Sequence, residues 1–227
     1  MKVKLLAYTP DAETIVAQAG RVCYSADGSE EIIRKIQDGD IDIGKQLSVI
    51  HGSCYEHAVF TFGIEGVSRD CTHQLVRHRL ASFSQQSQRY VSMKEGNVYC
   101  PKAIADDEEL RAMFNYITAL SFEFYERLME HGVKKEDARY VLPGATTSNI
   151  VVTMNARELM HFFGLRCCTR AQYEIRELAD KMLDAVKEVA PMIFKDAGPQ
   201  CKQLGYCPEH KSCGKYPKLN HLREDSQ

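Results

Sequence analysis

The chain holds 227 residues, 44% of them apolar and 26% charged, with a formal charge of −2. A chain of this length buries a full core as one ordinary domain, or as one domain with a small appendage, and its charge balance argues against a broad nucleic-acid surface while leaving room for a local basic pocket. No apolar run approaches membrane-spanning length, and the basic, apolar start Met1–Leu6 is too short for a signal peptide, so a cytoplasmic protein with no membrane association is expected.

Residues 2–8 read as a short strand, and Thr9-Pro10-Asp11 as turn chemistry opening a helix over Ala12–Cys23. Helical stretches follow from Ser29 to about Gln37 and from Ile43 to Ile50, separated by Asp38-Gly39-Asp40. The polar loop His51–His57 leads into Ala58–Val67, which alternates as a strand does. Arg69–Arg79 is expected as a helix with Leu75 and Val76 toward the core, which would put Arg77, His78 and Arg79 in its last turn, facing the negative end of the macrodipole. The Ser/Gln-rich stretch after it is expected to loop away. Residues 97–100 read as a short strand. From Asp107 to His131, Leu110, Met113, Phe114, Ile117, Phe124 and Leu128 recur at helical spacing and are expected to be core, with Gly132 closing the helix. A short helix over Lys134–Leu142 stops at Pro143. Thr146–Met154 reads as a strand, Asn155 as the cap of a helix reaching Arg166, and Thr169 as the start of a last long helix with Ile175, Leu178, Met182, Val186 and Val189 inward, ended by Pro191.

The nine cysteines are odd in number, irregularly spaced and free of any C-x-x-C pair, so reduced thiols are expected and not a disulfide framework. After Gly198-Pro199 the chain changes character. A first region, 1–195, is followed by a Cys-containing tail, 196–227, in which Cys201, Cys207, His210 and Cys213 could supply a zinc set, against the alternative of a polar tail with reduced thiols.

The densest chemistry lies in Arg77–Tyr90, R-H-R-L-A-S-F-S-Q-Q-S-Q-R-Y, within a stretch from Cys71 to Lys94 that holds no Asp or Glu. Arg presents a planar fork of donors that matches phosphate or carboxylate, while Ser and Gln add neutral donors that orient a guest. A solvated basic loop paired with acids elsewhere is the plainer alternative. Phosphate-loop and dinucleotide fingerprints are missing, so a bound nucleotide would be held by side chains.

Arg77-His78-Arg79, seven residues and then Ser87 resembles the signature of the flavin-dependent thymidylate synthases, the ThyX family. The likeness extends to Glu56-His57, Gln74, Arg89-Tyr90, Ala138-Arg139, Leu142-Pro143, Asn155-Ala156-Arg157-x-Leu-Met and Leu165-Arg166, in order, over about residues 50–190. The resemblance implies an α+β fold with a mainly antiparallel sheet flanked by helices, and a homotetramer with active sites built across subunits. It implies reductive methylation of dUMP to dTMP, with methylenetetrahydrofolate as carbon donor and hydride delivered through FAD reduced by NADPH. By position, Ser53, Glu56, Arg77, His78, Arg79, Gln85, Asn155, Arg157 and His161 resemble flavin contacts. Gln74, Arg77, Gln85, Gln86, Ser87, Arg89, Arg139 and Arg166 resemble dUMP contacts. Arg166 has the catalytic place, where its permanent charge would stabilise the activated uracil. Many members carry Asn-Glu where this chain has Ser84-Gln85, and others carry Asn at the place of His161.

Ser87 is read as a binding residue. A covalent role would need an activating base, which the neighbouring glutamines cannot provide. Two rival readings remain: a nucleic-acid binder using the Arg segment, and a metal-dependent hydrolase using His51, Glu56 and His57.

Overall fold

The computed structural model describes residues 1–94 and 96–218; the end of the expected tail region, 219–227, lies outside the described residues. In chain order the elements are β1 (Lys2–Tyr8), α1 (Ala12–Val22), α2 (Ser29–Gln37), α3 (Ile43–Val49), a 3₁₀ turn (Gly52–His57), β2 (Val59–Ser68), α4 (Arg69–Leu75) and β3 (Ala81–Gln85). They continue with α5 (Lys102–Ala105), α6 (Glu108–Glu130), α7 (Lys135–Ala138) running into a 3₁₀ turn (Arg139–Val141), β4 (Thr147–Asn155), α8 (Ala156–Arg166), α9 (Tyr173–Val189) and α10 (Gln200–Leu204). The strands form one antiparallel sheet in the order β1-β2-β4-β3, so the α+β expectation holds.

Burial alternates along the two central strands. Phe60, Phe62 and Ile64 point inward from β2, and Ile150, Val152 and Met154 from β4, as the two-residue repeat of a strand dictates. The chain divides into two compact units that interleave along the sequence. One comprises Met1–Lys2, Gly63–Arg77 and Phe83–Val151; the other comprises Val3–Phe62, His78–Ser82 and the chain from Val152 onward.

In the second unit the core is aromatic and aliphatic. Phe194 meets Phe60 edge-on at 5.3 Å and Phe163 at 6.0 Å, an arrangement that matches the positive ring edge to the negative ring face. Ile175, Leu178, Met182 and Val186 of α9 are fully buried, as their spacing predicts. Gln172, not Thr169, caps α9: its side-chain oxygen accepts from the backbone N–H groups of Glu174 and Ile175, and Thr169 lies outside the helix.

In the first unit the core gathers around Tyr125, Met93 and Ala138, with Phe122, Leu128 and Met129 against them. This corrects the reading of α6. Leu110, Met113, Ile117 and Phe124 are about half exposed, whereas Thr118 and Tyr125 are buried. Periodicity reports that apolar residues share a face; it does not report what covers that face. The uncovered side of α6 carries an apolar hollow of about 470 Å³ formed by Ile117, Leu120, Phe124 and Val141.

Two further corrections concern the basic segment. Helix α4 ends at Leu75, so Arg77, His78 and Arg79 lie beyond it and Val76 is partly exposed, although Leu75 is buried as expected. A Val76 N–H bond to the Thr72 carbonyl and an Arg77 N–H bond to the Gln74 carbonyl close the last turn instead. Residues 81–85, expected as loop, form β3 at the end of the sheet order, next to β4. Residues 97–100 contribute only an isolated bridge, Val98 with Thr146.

Candidate functional site

Helix α8 organises the second unit's polar cluster. It begins where β4 ends, and Asn155 caps it: its side-chain oxygen accepts from Glu158 N–H at 2.9 Å. The cap fixes where the helix starts, and Glu158, Phe162 and Arg166 then recur on one face. Over that face lies His78, only 5% exposed, with its ring edge-on to Phe162 at 4.9 Å and to His161 at 5.7 Å. Arg166 Nε donates to His78 Nε2 at 3.1 Å, and His78 Nδ1 is 3.0 Å from Glu158 Oε1. A guanidinium can only donate. Nε2 therefore holds the lone pair, the proton is on Nδ1, and Nδ1–H donates to the buried carboxylate. His78 is thus neutral, and its contact with Glu158 is a charge-assisted hydrogen bond and not an ion pair.

The electrostatics agree. Burial holds His78 below the ordinary histidine value; the bond to Glu158 works against this, and the nearby Arg166 and His161 add to it. Ligand atoms of His78, Glu158 and His161 lie within 4.8 Å of one another, the spacing of a metal site. Both ring nitrogens of His78 are already engaged, however, and the guanidinium brings positive charge to the place a cation would need. The arrangement suits the holding of Arg166 better than the holding of a metal.

Beside this row, on α8's first turn, Arg157 pairs with Glu56. Ser53 is exposed on the same 3₁₀ turn, Gly52–His57, and His161 is exposed on α8. His51 Nε2 lies 2.8 Å from the Tyr24 hydroxyl. With Glu56 given to Arg157 and His51 to Tyr24, the turn does not gather His51, Glu56 and His57 as metal ligands. Arg79 is exposed two residues after Arg77, which is itself exposed at the end of a segment of the first unit.

The first unit holds the remaining sequence candidates. Gln85 at the end of β3 donates through Nε2 to Thr72 Oγ1 at 2.9 Å. Gln86 is held by its backbone N–H on the Asn149 carbonyl and lines a polar cavity of about 410 Å³ with Lys2, Asn97 and Asn149. The Ser87 hydroxyl accepts from Arg89 N–H at 3.2 Å, shaping the turn in which Tyr90 and Val91 N–H groups return to the Ser87 carbonyl. Arg89 meets Glu136 through Nε and Nη2, while Arg139 Nε donates to the Glu136 carbonyl. Glu136 so draws Arg89 and Arg139 to one residue. Gln74 is half buried on α4.

The family model described as thymidylate synthase complementing protein (Thy1) matches residues 4–192. The chain belongs to this family. A flavin-dependent thymidylate synthase of Geobacter sulfurreducens is 50% identical over 227 residues, covering 98% of this chain and 97% of the relative. One from Clostridium tetani is 45% identical, covering 98% and 96%. Among solved structures, the Helicobacter pylori ThyX complexed with FAD and dUMP superposes with a TM-score of 0.63 at 30% identity, covering 87% of this chain and all of that one. A UMP/dUMP methylase, PolB, of Streptomyces cacaoi bound with 5-Br dUMP gives 0.70 at 26% identity, covering 86% and 93%. The family match thus spans both units, and the two residues that sequence motifs alone left out of the site, Glu158 and Glu136, lie inside it. Either reads in sequence as an ordinary solvated helix acid.

Proposed function

We propose that the chain makes dTMP from dUMP as a flavin-dependent thymidylate synthase, with methylenetetrahydrofolate supplying the carbon and NADPH reducing FAD. The observation that carries the reading is the row Glu158–His78–Arg166, its His78 and Glu158 buried and its two ends on α8, inside a chain that matches the family over residues 4–192. FAD supplies hydride transfer when bound. The donor set suits it: Arg77, Arg79 and Arg157 are exposed guanidiniums of the kind a pyrophosphate requires, with Ser53 and His161 as further partners. Gln85 and Asn155 also belong to this set by position, although the side-chain oxygen of Asn155 is already spent on the helix cap.

For dUMP, Arg89 and Arg139 offer phosphate contacts. Gln74, Gln85, Gln86 and Ser87 offer neutral ones, and Ser87 acts as binder and turn former. Arg166 works by charge. Uracil C5 becomes a better nucleophile when the negative charge delocalised to the N3/O2 edge is stabilised, and a guanidinium fixed on His78 has little left to reorganise when that charge appears. His78 and Glu158 act through Arg166 as positioning residues.

The working form is a homotetramer. The half-exposed apolar side of α6, with Leu120 and Phe124 at its hollow, supports an interface with another copy. Among the described residues no helix is long and apolar enough to cross a membrane, and we place the enzyme in the cytoplasm.

The deciding experiment is the visible spectrum of the purified protein, followed by anaerobic reduction with NADPH and addition of dUMP and methylenetetrahydrofolate. A flavin spectrum that bleaches, then returns as dTMP forms only when both substrates are present, is expected. A protein that neither carries nor takes up FAD would overturn the reading.

A further inference from the structure

The C-terminal segment brings together cysteines that are far apart in sequence. Cys168, Cys201, Cys207 and Cys213 all line one small cavity of about 40 Å³ in the second unit. Cys168 comes from the turn just after α8, Cys201 from the first turn of α10, and Cys207 and Cys213 from the irregular chain beyond it. No three of these sulfurs lie within 4.8 Å of one another, so an ion would draw them together from the cavity wall. All nine cysteines are free thiols in this structure.

The chain around these sulfurs is shaped for them. Gly205 ends α10 with φ +74, and Gly214 follows Cys213 with φ +83, a conformation that glycine reaches without steric cost. Gly214 turns the chain directly after Cys213, and Thr169 and Lys215 line the same cavity. Cys167 also reaches the cavity wall and serves as the control for Cys168. His210, which spacing alone offered as a fourth ligand, is exposed and does not line this cavity. Cys168, which lies some thirty residues before the tail, takes that place.

We propose that Cys168, Cys201, Cys207 and Cys213 form a four-thiolate site for one divalent zinc-type ion that ties the C-terminal segment to the end of α8. Residues 205–218 contain no helix and take part in only one isolated bridge, Cys207 with Lys218, yet Cys207 is buried. Segments this short and irregular commonly owe their order to a metal or a cross-link. Four soft sulfur donors select zinc or an iron–sulfur centre over harder cations. Binding releases the four thiol protons and leaves a dianionic centre; Lys211 and Lys215 in the cavity wall offset that charge, while Arg170 there is paired with Glu209. The site lies outside the proposed dUMP and flavin contacts and stands independently of that reading.

The test uses the full chain purified under reducing conditions without chelator. About one zinc per chain is expected on elemental analysis, in keeping with a closed structural site. Zinc-stripped, reduced protein given cobalt(II) should show intense sulfur-to-cobalt charge transfer and tetrahedral visible bands. Cys168→Ser should abolish both signals, while Cys167→Ser and His210→Ala retain them. If Cys168→Ser does not fold, the cobalt spectrum of the unmodified chain decides. A wild-type protein that holds no zinc and gives no cobalt–thiolate spectrum overturns the proposal. So do disulfides found among these four cysteines in freshly isolated protein, or metal binding that survives Cys168→Ser and is lost in His210→Ala.

Discussion

Glu158→Gln tests the buried row with almost no change in shape. The carboxylate is 6% exposed and takes the Nδ1–H of His78 at 3.0 Å. A hydrogen bond to a charged partner contributes about 1.5–3 kcal/mol and a neutral one about 0.5–1.5. Gln preserves the bond and removes the charge, so roughly 1–2 kcal/mol of the force that holds His78 in its Nδ1–H form is lost. If that loss passes to Arg166 in the transition state, turnover falls about 5–30-fold, since 1–2 kcal/mol is a factor of that size. The assay is single-turnover dTMP formation from flavin-loaded, pre-reduced enzyme, with FAD occupancy read from absorbance. The pH profile gives a second readout. Arg166 can donate to His78 only while Nε2 is unprotonated, and burial holds the His78 pKa below its ordinary 6.5. Activity should therefore be retained above that value and fall with an acid limb below it. Glu158 raises the His78 pKa, so Gln should move the limb to still lower pH. An unchanged rate, or a limb that moves upward, would refute the row as Arg166's support.

Arg166→Ala should nearly abolish dTMP formation while FAD remains bound, as flavin absorbance after gel filtration would show; wild-type turnover would remove Arg166 from the mechanism. Ser87→Ala should keep measurable turnover with weakened dUMP binding, whereas complete loss with normal affinity would favour a covalent role. Phe194→Ala removes the ring shared by Phe60 and Phe163 and should cost about 3–5 kcal/mol in urea unfolding. Phe124→Glu, on the half-exposed side of α6, should leave the monomer's fold intact by circular dichroism and reduce the mass in light scattering. An undiminished mass would put the interface elsewhere.

The local code was legible where one residue type answers one backbone need. Asn155 as a cap followed directly from its place before an apolar helix, and the strand reading of 58–67 followed from alternation. The basic segment was misread because Arg and His after Leu75 look like a helix end enriched in cations, whereas the α4 ladder closes at Val76 and Arg77. Helix α6 was misread for the opposite reason: its apolar stripe is real, but much of it is exposed. Glu158 could not be found in sequence at all. Its role exists only through His78, eighty residues away, and a Glu on a helix otherwise reads as solvated. Cys168 escaped in the same way, because metal spacing is sought along the chain and this cluster is assembled across it.

One stretch of α8 leaves no freedom in its length. His78 rests on Phe162 and touches Glu158 on one side and Arg166 on the other, residues eight positions apart, or about 12 Å of helix. One residue inserted or removed between them would turn one end against the other by about 100°, a full register error at 3.6 residues per turn. Glu158 and Arg166 could then no longer both reach one imidazole. Across descendants of this chain, gaps and insertions should fall in loops and spare the interval from Glu158 to Arg166.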